Sequence, residues 1–253
     1  MIEFQIIGNV AEVTLSNPPV NALSRQWAEL FHQVLDALQQ RNEWRVLRIR
    51  SGLRLFSAGG DIKQFARRLD DPRAGELLSE EAAFYQQLFL RIERLPQISI
   101  AEIGGVAAGG GFELALACDL RIACESAQVG LPEVSLGLLP SAGGTQRVSR
   151  LCGRGNAMRL IGGAELVSAA EAYRLSLVEW VVPDAEFTGA TEALATRLAA
   201  QPLEALQAAK RCIAAAFDPD RNGFAEEIEA PRTLMASVET RMKIEAFLEK
   251  SKR

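Results

Sequence analysis

The sequence predicts an α/β fold with a helical C-terminal part, and three observations carry that expectation. Short strand-like runs alternate with runs of helical periodicity through the first ~140 residues. From about Thr145 onward nearly every periodic run is helical. The 253 residues are 48% hydrophobic and 24% charged, enough apolar surface to bury a large core against chain entropy.

The elements follow in order. Ile2, Phe4 and Ile6 alternate with polar residues, and Val10, Val13 and Leu15 resume after Gly8-Asn9, which reads as a hairpin with a two-residue turn. "SNPPVNALS" is a loop stiffened by Pro18 and Pro19, with Ser24 as N-cap of a helix over 25–41, where Trp27, Leu30, Phe31, Val34, Leu35 and Leu38 share one face. "RVLRIR" is a strand and "SGLRLFSAGGD" the loop after it. Residues 63–81 read as irregular, because Asp70-Asp71-Pro72 breaks a helix. Tyr85, Leu88, Phe89, Ile92 and Leu95 mark a second helix, and "QISIAEI" the next strand. "AGGGFELALAC" opens a helix, "RIACESAQVG" supplies short strands, and "LPEVSLGLLPSAGG" is a loop. Helices are expected at 145–151, 155–161, 168–175, 186–200, 202–216, 222–237 and 239–250. No sequence repeat of fixed period stands out.

Charge and composition exclude several classes. A net charge of −4 argues against a broad nucleic-acid surface, though not against a small anion held by local donors. The N-terminus has no basic leader or long apolar region, and no run approaches ~20 apolar residues. No secretory signal and no membrane span are therefore expected, and the location expected is cytoplasmic. The four cysteines lie far apart without a Cys-x-x-Cys pair and read as free thiols of a reduced core. His32 is the only histidine; between Phe31 and Gln33 on a helix it reads as a packing or surface residue. That leaves little room for Ser-His, Cys-His or multi-histidine metal chemistry.

The glycine-rich stretches are more specific. The pattern G-x-G-x-x-G fails because position 114 is Leu, no G-x-x-x-x-G-K-[ST] occurs, and Leu139 stands where a nucleophile elbow around Ser141 needs glycine. "AGGGFEL" follows a strand and opens a helix, where the first N–H groups lack intrahelical partners and sit at the positive end of the dipole. Glycines there let a substrate oxygen reach the backbone, and N–H groups aimed at a developing oxyanion are each worth ~3–4 kcal/mol. "SAGGD" at 57–61 is a second such loop. Taken alone, each reads first as a tight turn. Glu113 follows the triple glycine, and Glu133 lies in "GLPEVSLG"; with apolar neighbours, each is either a capping or surface residue or a carboxyl with a raised pKa suited to acid/base work. Two acids meeting at one site would separate into an acid and a base, but spacing alone does not bring them together.

With these residues in view, the chain resembles the crotonase superfamily, and within it the enoyl-CoA hydratases. Five blocks carry the resemblance in order: "NPPVNALS", "FSAGGDIKQF", "GGVAAGGGFELALACDLRIA", "AQVGLPEVSLGLLPSAGGTQRVSRL" and "AFLEKSKR". The resemblance implies a spiral of repeated β-β-α units over residues 1–195. It also implies a C-terminal helical region, 196–253, that packs a homotrimer or a dimer of trimers. It implies an acyl-CoA substrate with its thioester oxygen between the N–H groups of Gly60 and Gly110. By resemblance Glu113 activates the water that attacks C3 of a 2-enoyl-CoA, and Glu133 protonates C2. CoA would lie along Pro19, Val20, Ala58, Gly59, Asp61, Ile62 and Lys63, with Lys250 reaching its phosphate across a subunit boundary. No cofactor is implied, coenzyme A being part of the substrate. Against the family pattern, Gly104 stands for asparagine, Ser141 for glycine, Ser176 for a helix-terminating glycine and Lys243 for a further glycine. Two other readings stay open. One is a Δ3-Δ2-enoyl-CoA isomerase using Glu133 alone; the other is a non-catalytic binding protein on the same scaffold, including an RNA-binding one.

Overall fold

The computed structural model describes residues 1–41 and 43–250. The last three residues of the "AFLEKSKR" block and of the 196–253 region lie outside the described residues.

The chain begins with β1 (Ile2–Ile7) and β2 (Val10–Leu15), an antiparallel hairpin in register Ile7↔Val10 whose loop is Gly8-Asn9, with Gly8 at φ 58°. In α1 (Arg25–Gln39) Ser24 Oγ accepts from Trp27 N at 3.2 Å, and Trp27, Phe31, Val34, Leu35 and Leu38 are buried. Then come β3 (Val46–Ser51), α2 (Ile62–Ala66), α3 (Ala74–Glu93), β4 (Ile98–Ile103), β5 (Ala107–Ala108), α4 (Gly110–Leu116), β6 (Leu120–Cys124) and β7 (Gln128–Gly130). A 3₁₀ turn at Glu133–Leu136 precedes α5 (Gly144–Gly162), β8 (Leu166–Ser168), α6 (Ala169–Arg174) and β9 (Trp180–Val182). After a 3₁₀ turn at Asp184–Glu186, four helices finish the chain: α7 (Phe187–Ala199), α8 (Leu203–Ala215), α9 (Gly223–Leu234) and α10 (Val238–Lys250).

Two sheets organise this order. The larger runs β1-β2-β3-β4-β6-β9, parallel from β2 onward, and the smaller runs β5-β7-β8. From β4 to β9 the chain feeds both sheets within each turn: β4 then β5, β6 then β7, β8 then β9. Two isolated parallel bridges, Leu23↔Gly60 and Ser57↔Ala107, extend the smaller sheet's pairing back into the preceding turns. This is the expected spiral, and it places the loops at 57–61 and 107–111 side by side.

The structure departs from the sequence expectations at several elements. Residues 63–81 are not irregular throughout; α2 and the first turns of α3 occupy both ends, and the break is confined to the residues around Asp70-Asp71-Pro72. The part after Thr145 is not helical throughout, since β8 and β9 lie within it. The helices expected at 145–151 and 155–161 abut as α5, kinked at Gly153, whose φ of 76° and ψ of 162° are non-helical. Position 195 falls within α7, whose Leu194, Ala195 and Ala199 are buried in an apolar cluster with Val46, Ile100 and Ile122 of the larger sheet. The four cysteines are free, and His32 packs on Phe84 with Nδ1 against Arg91. Among the described residues no helix is long and apolar enough to cross a membrane.

Candidate active site

The loop after β2 is braced before any catalytic group appears. Asn21 adopts φ 47°, a left-handed conformation asparagine tolerates, and its buried side chain donates to Ser51 Oγ at 2.8 Å and Phe56 O at 3.0 Å. Ser57 Oγ donates back to Asn21 O at 2.7 Å and accepts from Gly59 N at 3.1 Å. Ala58 N donates to Val20 O at 3.0 Å, Leu23 N to Gly59 O at 2.8 Å and Asp61 N to Leu23 O at 3.1 Å. Pro19, Val20, Ala58, Gly59 and Asp61 thereby form one ledge. Asp61 caps α2 by accepting from Lys63 N at 3.0 Å, which sets Ile62 and Lys63 exposed at its rim. Lys250 is exposed at the far end of α10, and among the described residues no hydrogen bond or ion pair ties it to this ledge.

Gly60 and Gly110 meet at the centre. A Cβ built on Gly110 would lie 3.8 Å from Gly60 N, and one on Gly59 only 3.1 Å from Gly110 N. Among the described residues neither the Gly60 nor the Gly110 N–H has a protein acceptor, and Gly110 is the first residue of α4, where none is available within the helix. The three glycines divide their work. Gly109, at φ 53°, keeps clear of Glu133, whose Oε1 would lie 2.9 Å from a Cβ there. Gly110 opens the gap. Gly111 packs on Ser57, whose Oγ would lie 2.6 Å from a Cβ. Only the middle one serves the access to backbone that the sequence suggested for the whole run.

The two acids converge on this gap. Glu113, in the first turn of α4 and only 3% exposed, accepts at Oε1 from Ala142 N at 2.8 Å and Gly144 N at 2.7 Å. Burial pushes its carboxyl up to about 7, the charge of Glu133 adds to the rise, and the two N–H donors and Arg147 oppose it. Glu133 opens the 3₁₀ turn; burial raises its carboxyl too, and its buried Oε2 has no hydrogen-bond partner. A cavity of about 330 Å³ is lined by Ile62, Phe65, Leu69, Leu78, Leu136 and Leu138; Phe65 stands against Gly60, and Leu136 ends the turn that Glu133 opens. Leu136 and Leu138 were not marked in the sequence, nor were the donors Ala142 and Gly144, whose only signal was the glycine-bearing "SAGG".

The departures from the family pattern find structural settings. Gly104 leaves room for Phe187, whose ring would stand 3.0 Å from a Cβ there. Ser141 offers its carbonyl to Gln86. Ser176 takes φ 59°, the left-handed conformation expected after α6. Lys243 donates to Ala200 O at 3.0 Å, pinning α10 to the end of α7.

Two unpartnered backbone donors, one buried and one half-buried acid and an apolar cavity are the equipment of an enzyme that acts on an activated acyl group, and comparison with known proteins narrows the class. The family model described as enoyl-CoA hydratase/isomerase matches residues 5–253. A probable enoyl-CoA hydratase of Bacillus subtilis is 39% identical over 246 residues, covering 96% of this chain and 93% of that protein. A short-chain-enoyl-CoA hydratase of Clostridium acetobutylicum is 33% identical over 254 residues, covering 95% of each. The crystal structure of an enoyl-CoA hydratase from Bacillus anthracis superposes with a TM-score of 0.91 at 32% identity, covering 98% of this chain and 96% of that one. The chain belongs to the enoyl-CoA hydratase/isomerase family and has the crotonase fold.

Proposed function

We propose that this protein is a 2-enoyl-CoA hydratase. The observation that carries the reading is the pair of carboxylates on one gap, Glu113 buried and engaged through a single oxygen and Glu133 half-buried with one oxygen unpartnered among the described residues. The thioester oxygen of the substrate lies between the Gly60 and Gly110 N–H groups, which stabilise the enolate as charge moves onto it. Water attacks C3 and gives a proton to Glu113, Glu133 delivers a proton to C2, and the product is a 3-hydroxyacyl-CoA. The charge of Glu133 raises the Glu113 carboxyl, so ionisation of one disfavours ionisation of the other. Donors from Ala142 and Gly144 favour the charge on Glu113, while the unpartnered oxygen of Glu133 favours the proton there. The reading takes Glu113 as the base and Glu133 as the acid.

The CoA moiety lies along Pro19, Val20, Ala58, Gly59, Asp61, Ile62 and Lys63, and the acyl chain enters the cavity beside Leu136 and Leu138. Lys250 serves the CoA of a neighbouring subunit, and residues 196–253 form the oligomerisation region. The chemistry needs no metal or redox group.

Loss of the conjugated-thioester absorbance of crotonyl-CoA and its longer-chain homologues tests the reading; no loss at any chain length overturns it. Glu113→Gln and Glu133→Gln should each lower kcat by about 10²–10⁴-fold with KM little changed. Full activity of Glu113→Gln toward a 3-enoyl-CoA, with hydration absent, would instead identify an isomerase working through Glu133.

A further inference from the structure

Gln86 lies on the exposed side of α3, outside every motif, yet its side chain ends on the loop that holds Glu113. Its Nε2 donates to Ser141 O at 2.6 Å. A carbonyl oxygen only accepts, so it is the nitrogen of the amide that faces it. The Ser141 carbonyl and the Ala142 N–H belong to one planar peptide unit, and that N–H donates to Glu113 Oε1 at 2.8 Å. Gln86, the peptide unit and the carboxylate thus form a relay of two hydrogen bonds, and bonds in such a chain polarise and strengthen one another.

The second donor is built alike. Gly144 N donates to Glu113, and the carbonyl of its peptide unit, Gly143 O, accepts from Arg147 N at 3.0 Å. Between them Ala142 O accepts from Arg147 Nη1 at 3.0 Å, and Arg147 Nη2 is held by Glu93 of α3 at 2.6 Å. Of these tethers only that from Gln86 is an uncharged, exposed side chain. It can be removed without stranding a buried charge or opening the core.

We propose that Gln86 is a positioning residue for Glu113, fixing and polarising through the Ser141–Ala142 peptide unit one of the two N–H groups the carboxylate accepts. A donated N–H favours the ionised carboxylate, so loss of the tether moves the Glu113 titration upward. The largest charge effects on Glu113 are those of Glu133, which raises it, and Arg147, which lowers it; Gln86→Ala alters neither.

The test compares wild type with Gln86→Ala, Gln86→Glu and Gln86→Lys. Difference infrared spectroscopy follows the Glu113 carboxyl directly, its band assigned by its loss in Glu113→Gln. Gln86→Ala should move that titration up by about half a pH unit. The kinetic readout rests on the hydratase reading: kcat near pH 6 falls about threefold, while the plateau at high pH and KM hold. Gln86→Glu, which loses the donor while ionised and adds a negative charge, should shift further, and Gln86→Lys, which restores a donor and adds a positive charge, should reverse the shift; Gln86→Ala isolates the relay from added charge. An active enzyme whose infrared titration and acid limb stay fixed in Gln86→Ala overturns the proposal, as does a kcat loss equal at all pH values. A wild type without hydratase activity whose infrared titration still shifts in Gln86→Ala removes the function and leaves the positioning role standing.

Discussion

Glu113 sits where two demands conflict. Burial beside another carboxylate favours its protonated form, and two short backbone bonds favour its charged form. Burial wins: the folded carboxyl titrates near 7, whereas an unfolded glutamate releases its proton near 4.5. Between those values the folded chain binds more protons than the unfolded one, so this site's contribution to stability falls as pH rises through the window and is fully lost above about 7. Glu133, raised by burial, acts with the same sign. Glu113→Gln keeps an acceptor for Ala142 and Gly144 and has no proton to lose. It should therefore be more stable than wild type at pH 8, by on the order of 1–3 kcal/mol, with the gain shrinking toward pH 5. Urea unfolding at both pH values checks this, and a gain that does not change with pH contradicts it. Gly109→Ala adds a Cβ that meets Glu133 at 2.9 Å on a backbone at φ 53°. It should cost about 1–3 kcal/mol in unfolding experiments and displace the acid; activity near wild type would mean Glu133 has another place to sit. The acids and both glycine loops were legible in the sequence because helix-start N–H groups and carboxylates in apolar company have local signatures. Ala142, Gly144 and Gln86 were not, because their bonds join loops and helices that only the fold brings together, Glu113 lying 29 residues from Ala142.

The same division by range governs the elements. The N-terminal hairpin, α1 and the longer strands β3, β4 and β6 of the larger sheet announce themselves by periodicity or by an apolar run. The smaller sheet does not. Its strands are two or three residues long, too short to show an alternation, and they hold because neighbouring turns of the spiral supply their partners. The start of α3 was obscured by charged residues on its solvent face and by the Asp70-Asp71-Pro72 break next to it. One departure from the family pattern gives a measurable consequence at this scale. After α6, Leu177 N donates to Ala172 O at 2.8 Å and Ser176 N to Tyr173 O at 3.0 Å, the paired bonds of a helix end closed by a left-handed residue. Ser176 fills that place at φ 59°, which a residue with a Cβ adopts at a cost. Ser176→Gly should raise stability by about 0.5–1 kcal/mol with kcat unchanged, read as a higher urea midpoint at constant slope. A lowered midpoint would mean that the serine makes up the strain elsewhere.

At the scale of the whole molecule, five short blocks in order were enough to imply the spiral, although no fixed-period repeat reveals it. The unit recurs in architecture while its intervening helices and loops differ in length, from the five residues of α2 to the 20 of α3. What the spiral leaves unburied is the C-terminal helices. Phe224, Ile228, Met235, Val238 and Met242 on and between α9 and α10 are each more than half exposed, with Phe224 at 82%, and Ile213 and Phe217 at the end of α8 join them. No residue of α9 or α10 is buried. A contiguous apolar surface of this kind marks an interface when it exceeds a few hundred Å². Symmetric self-association is the common way such a surface is covered. The expected occupant is a second copy of this chain, in the homotrimer, alone or doubled, that the family resemblance implies. Wild type should then sediment as a discrete species several times the 27.5 kDa chain mass, and Phe224→Asp with Ile228→Asp should shift it toward one chain mass with far-ultraviolet circular dichroism retained. If Lys250 acts across the boundary, dissociation and Lys250→Ala should raise KM for the acyl-CoA to a similar extent, and combining them should add nothing further. A wild-type protein that sediments as a single chain at full activity would leave those helices solvated and place the CoA contacts within one subunit.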